Sequence, residues 1–120
     1  MRIAVIEDER PIREGLVHIL NKISPEYQVV GSAENGREGL ILLEEQDPDL
    51  ILLDIQMPDM NGLQMLKEAR ERGSMTKVVI LTAYSDFDYA KKAIALGIEN
   101  YLLKPVNLTE LKNTLSKIKE

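Results

Sequence analysis

A chain of 120 residues, 44% hydrophobic and 29% charged, has the size and composition of one globular domain with one core. Its formal net charge of −5 gives no basic footprint for nucleic acid, and the absence of cysteine excludes a disulfide scaffold and thiolate metal sites. No apolar run approaches membrane length and the N-terminus does not read as a signal peptide, so the cytoplasm is the expected compartment.

Residues 3–6, Ile-Ala-Val-Ile, predict a first strand that runs into Glu7, Asp8 and Glu9. Pro11 suits a first helical turn, and Ile12, Leu16, Ile19, Leu20 and Ile23 then recur on one helical face until Ser24-Pro25. A second strand is expected over 28–33. Asn35 and Glu38 have the spacing of a capping box, and the helix they open turns Leu40 and Leu43 inward before Asp47-Pro48. The third strand is Leu50-Ile51-Leu52-Leu53, running straight into Asp54. A run that short and that apolar suggests a strand buried on both faces, as in a parallel sheet. A helix follows Asn61, buries Leu63 and Leu66, and stops at Gly73. The fourth strand covers 78–81 and ends in Thr82-Ala83. Residues 85–88 start a helix that carries Ala90, Ala93 and Ile94 and ends at Gly97. The fifth strand covers 101–103 and ends in Lys104-Pro105. Asn107 and Glu110 again have capping-box spacing, ahead of a helix that buries Leu111, Leu115 and Ile118.

Five alternating strand–helix units imply parallel strands with helices on both faces. The expected architecture is one domain over 1–120: an α/β, doubly wound, five-stranded parallel sheet of flavodoxin-like (βα)5 type, in strand order 2-1-3-4-5. No repeat or internal linker interrupts it, and a linker to any further domain is expected beyond Glu120.

Parallel strands bring the residues that end them to one rim: Glu7 and Asp8, Asp54, Thr82 and Lys104. Taken alone, a strand-ending Asp is equally ordinary turn chemistry. The company it keeps argues for more, because Asp54 lies near Glu7 and Asp8 if strands one and three are neighbours. Two carboxylates ~5 Å apart at an effective dielectric of ~20 repel by roughly 3 kcal/mol. Three such pairs cost on the order of 10 kcal/mol, comparable to the stability of a domain. The cluster therefore needs a cation, and Lys104 supplies one charge from the far side. An all-oxygen site suits a hard ion, Mg²⁺ first and Mn²⁺ second. With a reference pKa of ~3.9, Asp54 is expected to be anionic at neutral pH. A carboxylate beside Mg²⁺, a lysine and a hydroxyl is a site for phosphoryl transfer.

With those residues assembled, the chain resembles the receiver domain of two-component response regulators over essentially its full length. The resemblance is carried by Val5-Ile6-Glu7-Asp8-Glu9, Leu53-Asp54-Ile55-Gln56-Met57-Pro58-Asp59-Met60-Asn61-Gly62, Leu81-Thr82-Ala83 and Tyr101-Leu102-Leu103-Lys104-Pro105. It implies that Asp54 accepts phosphate from a sensor histidine kinase, and that Asp8, Asp54 and the backbone carbonyl of Gln56 ligate Mg²⁺, with Glu7 acting through a water. It further implies that Thr82 and Lys104 hold the phosphoryl oxygens, that Lys104–Pro105 is cis, and that Tyr101 is an aromatic switch. The fourth helix, fifth strand and fifth helix would be the surface that changes and a homodimer contact, and the start of the first helix would help choose the kinase. The stretch from Tyr84 to Ile94 is similar to receivers that precede an AraC-type DNA-binding domain. By that likeness this chain does not itself touch DNA or membrane, and the output is transcription control through another domain. Such a domain is a signalling switch rather than an enzyme.

Glu7 departs from the family's usual Asp, and its extra methylene alters the expected metal geometry. Tyr84, two residues past Thr82, is expected to crowd an attacking water and slow loss of phosphate. Other residues have plainer expectations. His18 is an exposed helix residue, Asp59 and Asn61 belong to a loop and a cap, and Lys91, Lys92 and Lys112 lie on solvated faces. Gly31, Gly36 and Gly39 form no phosphate-binding loop, because no Lys-Ser/Thr pair follows. Two other functions fit the same architecture. A Mg²⁺-dependent phosphohydrolase with an aspartate nucleophile would usually place its second acid where Gln56 stands. A flavodoxin-like FMN carrier would have to stack its flavin on Phe87 or one of four tyrosines.

Overall fold

The central strands are apolar because both of their faces are covered. In the computed structural model, which describes residues 1–83 and 87–119 apart from the side chains of Phe87 and Ala90, every residue of the strand containing Asp54 is buried. In chain order the elements are β1 (Arg2–Ile6), α1 (Arg10–Ile23), β2 (Gln28–Ala33), α2 (Gly36–Gln46), β3 (Leu50–Asp54), α3 (Gly62–Glu71), β4 (Lys77–Thr82), α4 (Phe87–Ala95), β5 (Asn100–Leu103) and α5 (Leu108–Lys119). The five strands form one parallel sheet in the order β2-β1-β3-β4-β5, which is the expected topology.

Successive strand residues point to opposite faces and so serve different helices. Ile3, Val5, Leu50, Leu52, Val79 and Leu81 join a core with Leu16 and Leu20 of α1 and Leu111 and Leu115 of α5. Ala4, Ile6, Ile51, Leu53 and Ile80 join the opposite core, with Leu40 and Leu43 of α2, Leu63 and Leu66 of α3 and Ala93 of α4. Each such Leu or Ile contributes about 1.5–3 kcal/mol by leaving water. Central β3 therefore anchors both layers, while edge strands β2 and β5 are mostly half-buried or exposed.

Local sequence sets most boundaries. Pro11 lies in the first turn of α1 and Gly73, at φ 90°, follows α3. Asn107 Oδ1 accepts from Glu110 N at 3.1 Å and opens α5. The box expected at Asn35 is half made. Asn35 accepts from Glu38 N at 2.8 Å, but the Glu38 carboxylate accepts from Glu34 N, one residue before the cap. The reciprocal box lies at Asn61 instead, where Gln64 Oε1 accepts from Asn61 N and Asn61 Oδ1 from Gln64 N, each at 2.9 Å. In α4, Ala93 is buried but Ile94 is 68% exposed. Neighbouring helical positions lie about 100° apart, so a helix lying on a sheet turns only one of the two inward. Tyr84, and with it the expected crowding of an attacking water, lies outside the described residues. Among those that are described, no helix is long and apolar enough to cross a membrane.

Candidate functional site

The strand register assembles the rim. Ile6 pairs with Leu53, so the residues that follow them, Glu7 and Asp54, emerge side by side. Asp54 pairs with Leu81, and Thr82 with Leu103, which places Thr82 and Lys104 on the same edge. One carboxylate oxygen each from Glu7, Asp8 and Asp54 lies within 4.8 Å of the others. Glu7 and Asp54 are buried and Asp8 is half-buried. The spacing is close to that assumed from sequence, so the electrostatic cost is real.

Lys104 reaches further into the cluster than a charge on its far side. Its Nζ lies 2.5 Å from Glu7 Oε1 and 3.2 Å from Asp54 Oδ1, bridging the two buried acids. Burial pulls the Lys104 ammonium down, but the carboxylates of Glu7 and Asp54 outweigh it and hold it above its ordinary value. One ammonium does not neutralise three acids. Burial and the neighbouring Glu7 together push Asp54 up to about 8, against a weaker downward pull from Lys104. The charge of Asp54 thus depends on the groups packed around it and not on its reference value alone. Among the described residues Lys104 is the cation paired with this carboxyl, and a further positive charge beside it would favour the ionised form.

The donor set fits a hard divalent ion. All its ligands are oxygens and three converge. Glu7 Oε1 is fully buried, and although the ammonium is close it receives, among the described residues, no hydrogen bond of proper geometry. Gln56 N donates to Asp54 Oδ1 at 3.3 Å, which turns the start of the β3–α3 loop around the acid. The cleft above it, about 280 Å³, is lined by Glu9, Ile12, Asp54, Gln56, Ala83 and Lys104. Larger grooves exist elsewhere, so charge rather than volume marks this one.

Two supporting residues were not singled out from sequence. Arg13, in the first turns of α1, donates from Nη1 to the backbone carbonyl of Glu7 at 2.8 Å and to that of Asp8 at 3.4 Å, tethering the acid-bearing loop. No local pattern separates such an arginine from an exposed one. Gly62 opens α3 directly against the end of the strand that carries Asp54. A Cβ there would meet the Asp54 carbonyl oxygen at 2.3 Å and Ile55 Cα at 2.9 Å. Its own N–H donates to Ile55 O at 2.9 Å. The Asn-Gly pair was the available signal: Asn caps the helix, and Gly lets the helix approach the strand.

Residues 3–116 match the response regulator receiver domain family. The chain is a response regulator receiver domain. It is 35% identical over 114 residues to the transcriptional regulatory protein YdfI of Bacillus subtilis, covering 95% of this chain and 53% of that one. It is 34% identical over 117 residues to the transcriptional regulatory protein HptR of Staphylococcus aureus, covering 98% of this chain and 46% of that one. The receiver thus spans about half the length of these relatives. Its fold superposes on a LuxR-family DNA-binding response regulator from Staphylococcus aureus with a TM-score of 0.91 at 29% identity, covering 99% and 98% of the two chains. Against the receiver domain of AraT, a response regulator from Geobacillus stearothermophilus, the TM-score is 0.85 at 36% identity, over 98% and 92%. Receivers are signalling domains of two-component systems and generally bind Mg²⁺ in an acidic pocket. Thr82 is fully buried at the end of β4, Tyr101 is half-buried against the α2–α3–α4 core, and the Lys104–Pro105 peptide is cis.

Proposed function

We propose that Asp54 is the phosphoacceptor of this receiver and that its partner is a sensor histidine kinase. The observation that carries this is the convergence of three carboxylates at the rim of the sheet, the two buried ones, Glu7 and Asp54, bridged by Lys104. An Asp54 oxygen attacks the phosphorus of the kinase's phosphohistidine. A new O–P bond forms, the P–N bond breaks, and the imidazole nitrogen leaves with the electron pair. Asp8, Asp54 and the Gln56 carbonyl would hold Mg²⁺, or Mn²⁺ in its place, with Glu7 acting through a water. Bound there, the ion supplies the positive charge that keeps Asp54 ionised and neutralises charge on the transferring group. Lys104 and the Thr82 hydroxyl bind the phosphoryl oxygens. The domain therefore assists its own phosphorylation and slow dephosphorylation without turning over a substrate.

Phosphate on Asp54 shifts a population between two arrangements, read out through Thr82 and Tyr101. The surface that changes is α4–β5–α5, where Ile94, Leu103 and Leu108 are 68%, 46% and 47% exposed. That exposure supports a homodimer through this face. The names of the relatives support transcription regulation, exerted through a second domain, as the output. The decisive experiment is labelling with acetyl phosphate. Wild type takes up one phosphoryl group per chain, dependent on Mg²⁺, stable to acid and labile to base; Asp54→Ala takes up none. Full labelling of Asp54→Ala would refute the assignment.

A further inference from the structure

A groove of about 510 Å³ runs between α3 and α4, on the face of the sheet away from α1 and α5. Its apolar lining is Leu63 from α3, Tyr89 and Ala95 from α4 and Leu96 just after it, and two lysines stand in it, Lys67 from one helix and Lys92 from the other. Leu63 is buried, Tyr89 and Leu96 are half-buried against the core, and Ala95 and both lysines are exposed. The two helices follow parallel strands, so they run the same way. At their C-terminal ends they are clamped: Arg70 of α3 donates from Nε to Leu96 O at 3.0 Å and from Nη2 to Gly97 O at 2.8 Å. Arg70 thus ties the backbone just after α4 to α3, at Leu96 of the groove's lining.

Its charge is what selects an occupant. The chain as a whole carries −5, yet this groove is lined by two lysines and no acid. Among the described residues neither Lys67 nor Lys92 has a carboxylate partner within ion-pair distance, whereas Arg72, the C-cap of α3, is held by Glu44 and Glu68. An apolar floor with unpaired cations on both walls complements an amphipathic segment whose apolar stripe is flanked by acids on either side. The lining runs from Asn61 to Lys67 on one side and from Tyr89 to Leu96 on the other, about 10 Å of helix, which fits roughly two turns of an occupant.

We propose that the α3–α4 groove docks an acidic amphipathic helix of a partner protein, its apolar side chains on Leu63, Tyr89 and Leu96 and its carboxylates on Lys67 and Lys92. The groove shares no lining residue with the phosphoacceptor cleft, and it shares α4 with the α4–β5–α5 face; the inference stands whether or not Asp54 is phosphorylated. Because α4 is the next element after β4 in the chain, an occupant that favoured one position of α4 would couple to the state of the rim.

The test uses the intact chain and a synthetic probe: a 14-residue helical peptide with Leu at spacings of three and four and Glu on both flanks. Amide shift changes in ¹⁵N spectra should be confined to α3 and α4. Affinity should fall about tenfold in Lys67→Glu/Lys92→Glu, as expected for losing two rim ion pairs and adding repulsion. Ala95→Arg should abolish binding. The same peptide with every Glu replaced by Lys should not bind, a control that needs no protein variant. Shifts that map to another surface, equal binding of the acidic and basic peptides, or an affinity unchanged in the double variant would each overturn the proposal. So would sedimentation showing that wild type dimerises and Ala95→Arg does not, because the occupant would then be a second copy of the chain.

Discussion

The middle of the sheet and its β5 edge are built on opposite principles. β1 and β3 are covered on both faces, and the acids that follow them are held by neighbouring backbone, by Arg13 and by Lys104. At the edge, β5 has one buried residue among its four, and α4 beside it exposes Ile94. The rim thus gathers costly charge where the backbone is best constrained, and the half-exposed surface lies where packing is thinnest. Low-stability regions are where a protein can move with little loss of folding energy, so a signal generated at the rim has an edge able to respond.

The largest expected break in this contrast comes from Gly62→Ala. The new Cβ would meet the backbone of Asp54 and Ile55 rather than a yielding side chain. Urea denaturation should show a loss of about 3 kcal/mol or more, and Mg²⁺ binding should weaken with it. A loss under 1 kcal/mol would mean that the rim is far less rigid than described.

Next in size is the electrostatic cost of the rim itself. Asp54 has a folded-state pKa of about 8, raised above its ordinary value, so the folded state keeps this proton after the unfolded chain has released it. The stability contribution is full below pH ~4 and is lost as pH rises through about 8. With EDTA present, Asp54→Asn should therefore be more stable than wild type at pH 9, by about 1–3 kcal/mol, and nearly equal to it at pH 4. Mg²⁺ should stabilise wild type at high pH by mass action and have little effect on the variant. A wild-type advantage over Asp54→Asn at pH 9 in EDTA would contradict the reading of a strained, under-compensated acid cluster.

Arg13→Ala tests the tether from α1. It removes the guanidinium that holds the carbonyls of Glu7 and Asp8 but leaves every proposed ligand in place. Mg²⁺ affinity measured by calorimetry should fall about tenfold, as for other residues that orient ligands without being ligands. Unchanged affinity would show that the loop is held by β1 alone. The smallest effect is expected at the edge: Ile94→Ser should alter monomer stability by no more than about 0.5 kcal/mol. It should still weaken any phosphorylation-dependent dimer seen by sedimentation, and a large loss of monomer stability would mean that this edge is a packed region after all.

Most of the fold could be read along the chain. The run 50–53 ending in Asp54, the prolines and glycines between elements, and the period of apolar residues in α1 and α5 are local signals, and local sterics with solvent exclusion largely decide them. The same holds for the rim residues, because parallel strands have to deliver Glu7, Asp8, Asp54, Thr82 and Lys104 to one side. Contacts between residues far apart in sequence could not be read so. Only the folded chain determines that Lys104 bridges Glu7 and Asp54, that Arg13 binds carbonyls, that Gly62 abuts the strand end, and that Arg70 pins α4 to α3. The protonation of Asp54 belongs with them, since desolvation depends on everything that packs around a group and not on its neighbours in sequence.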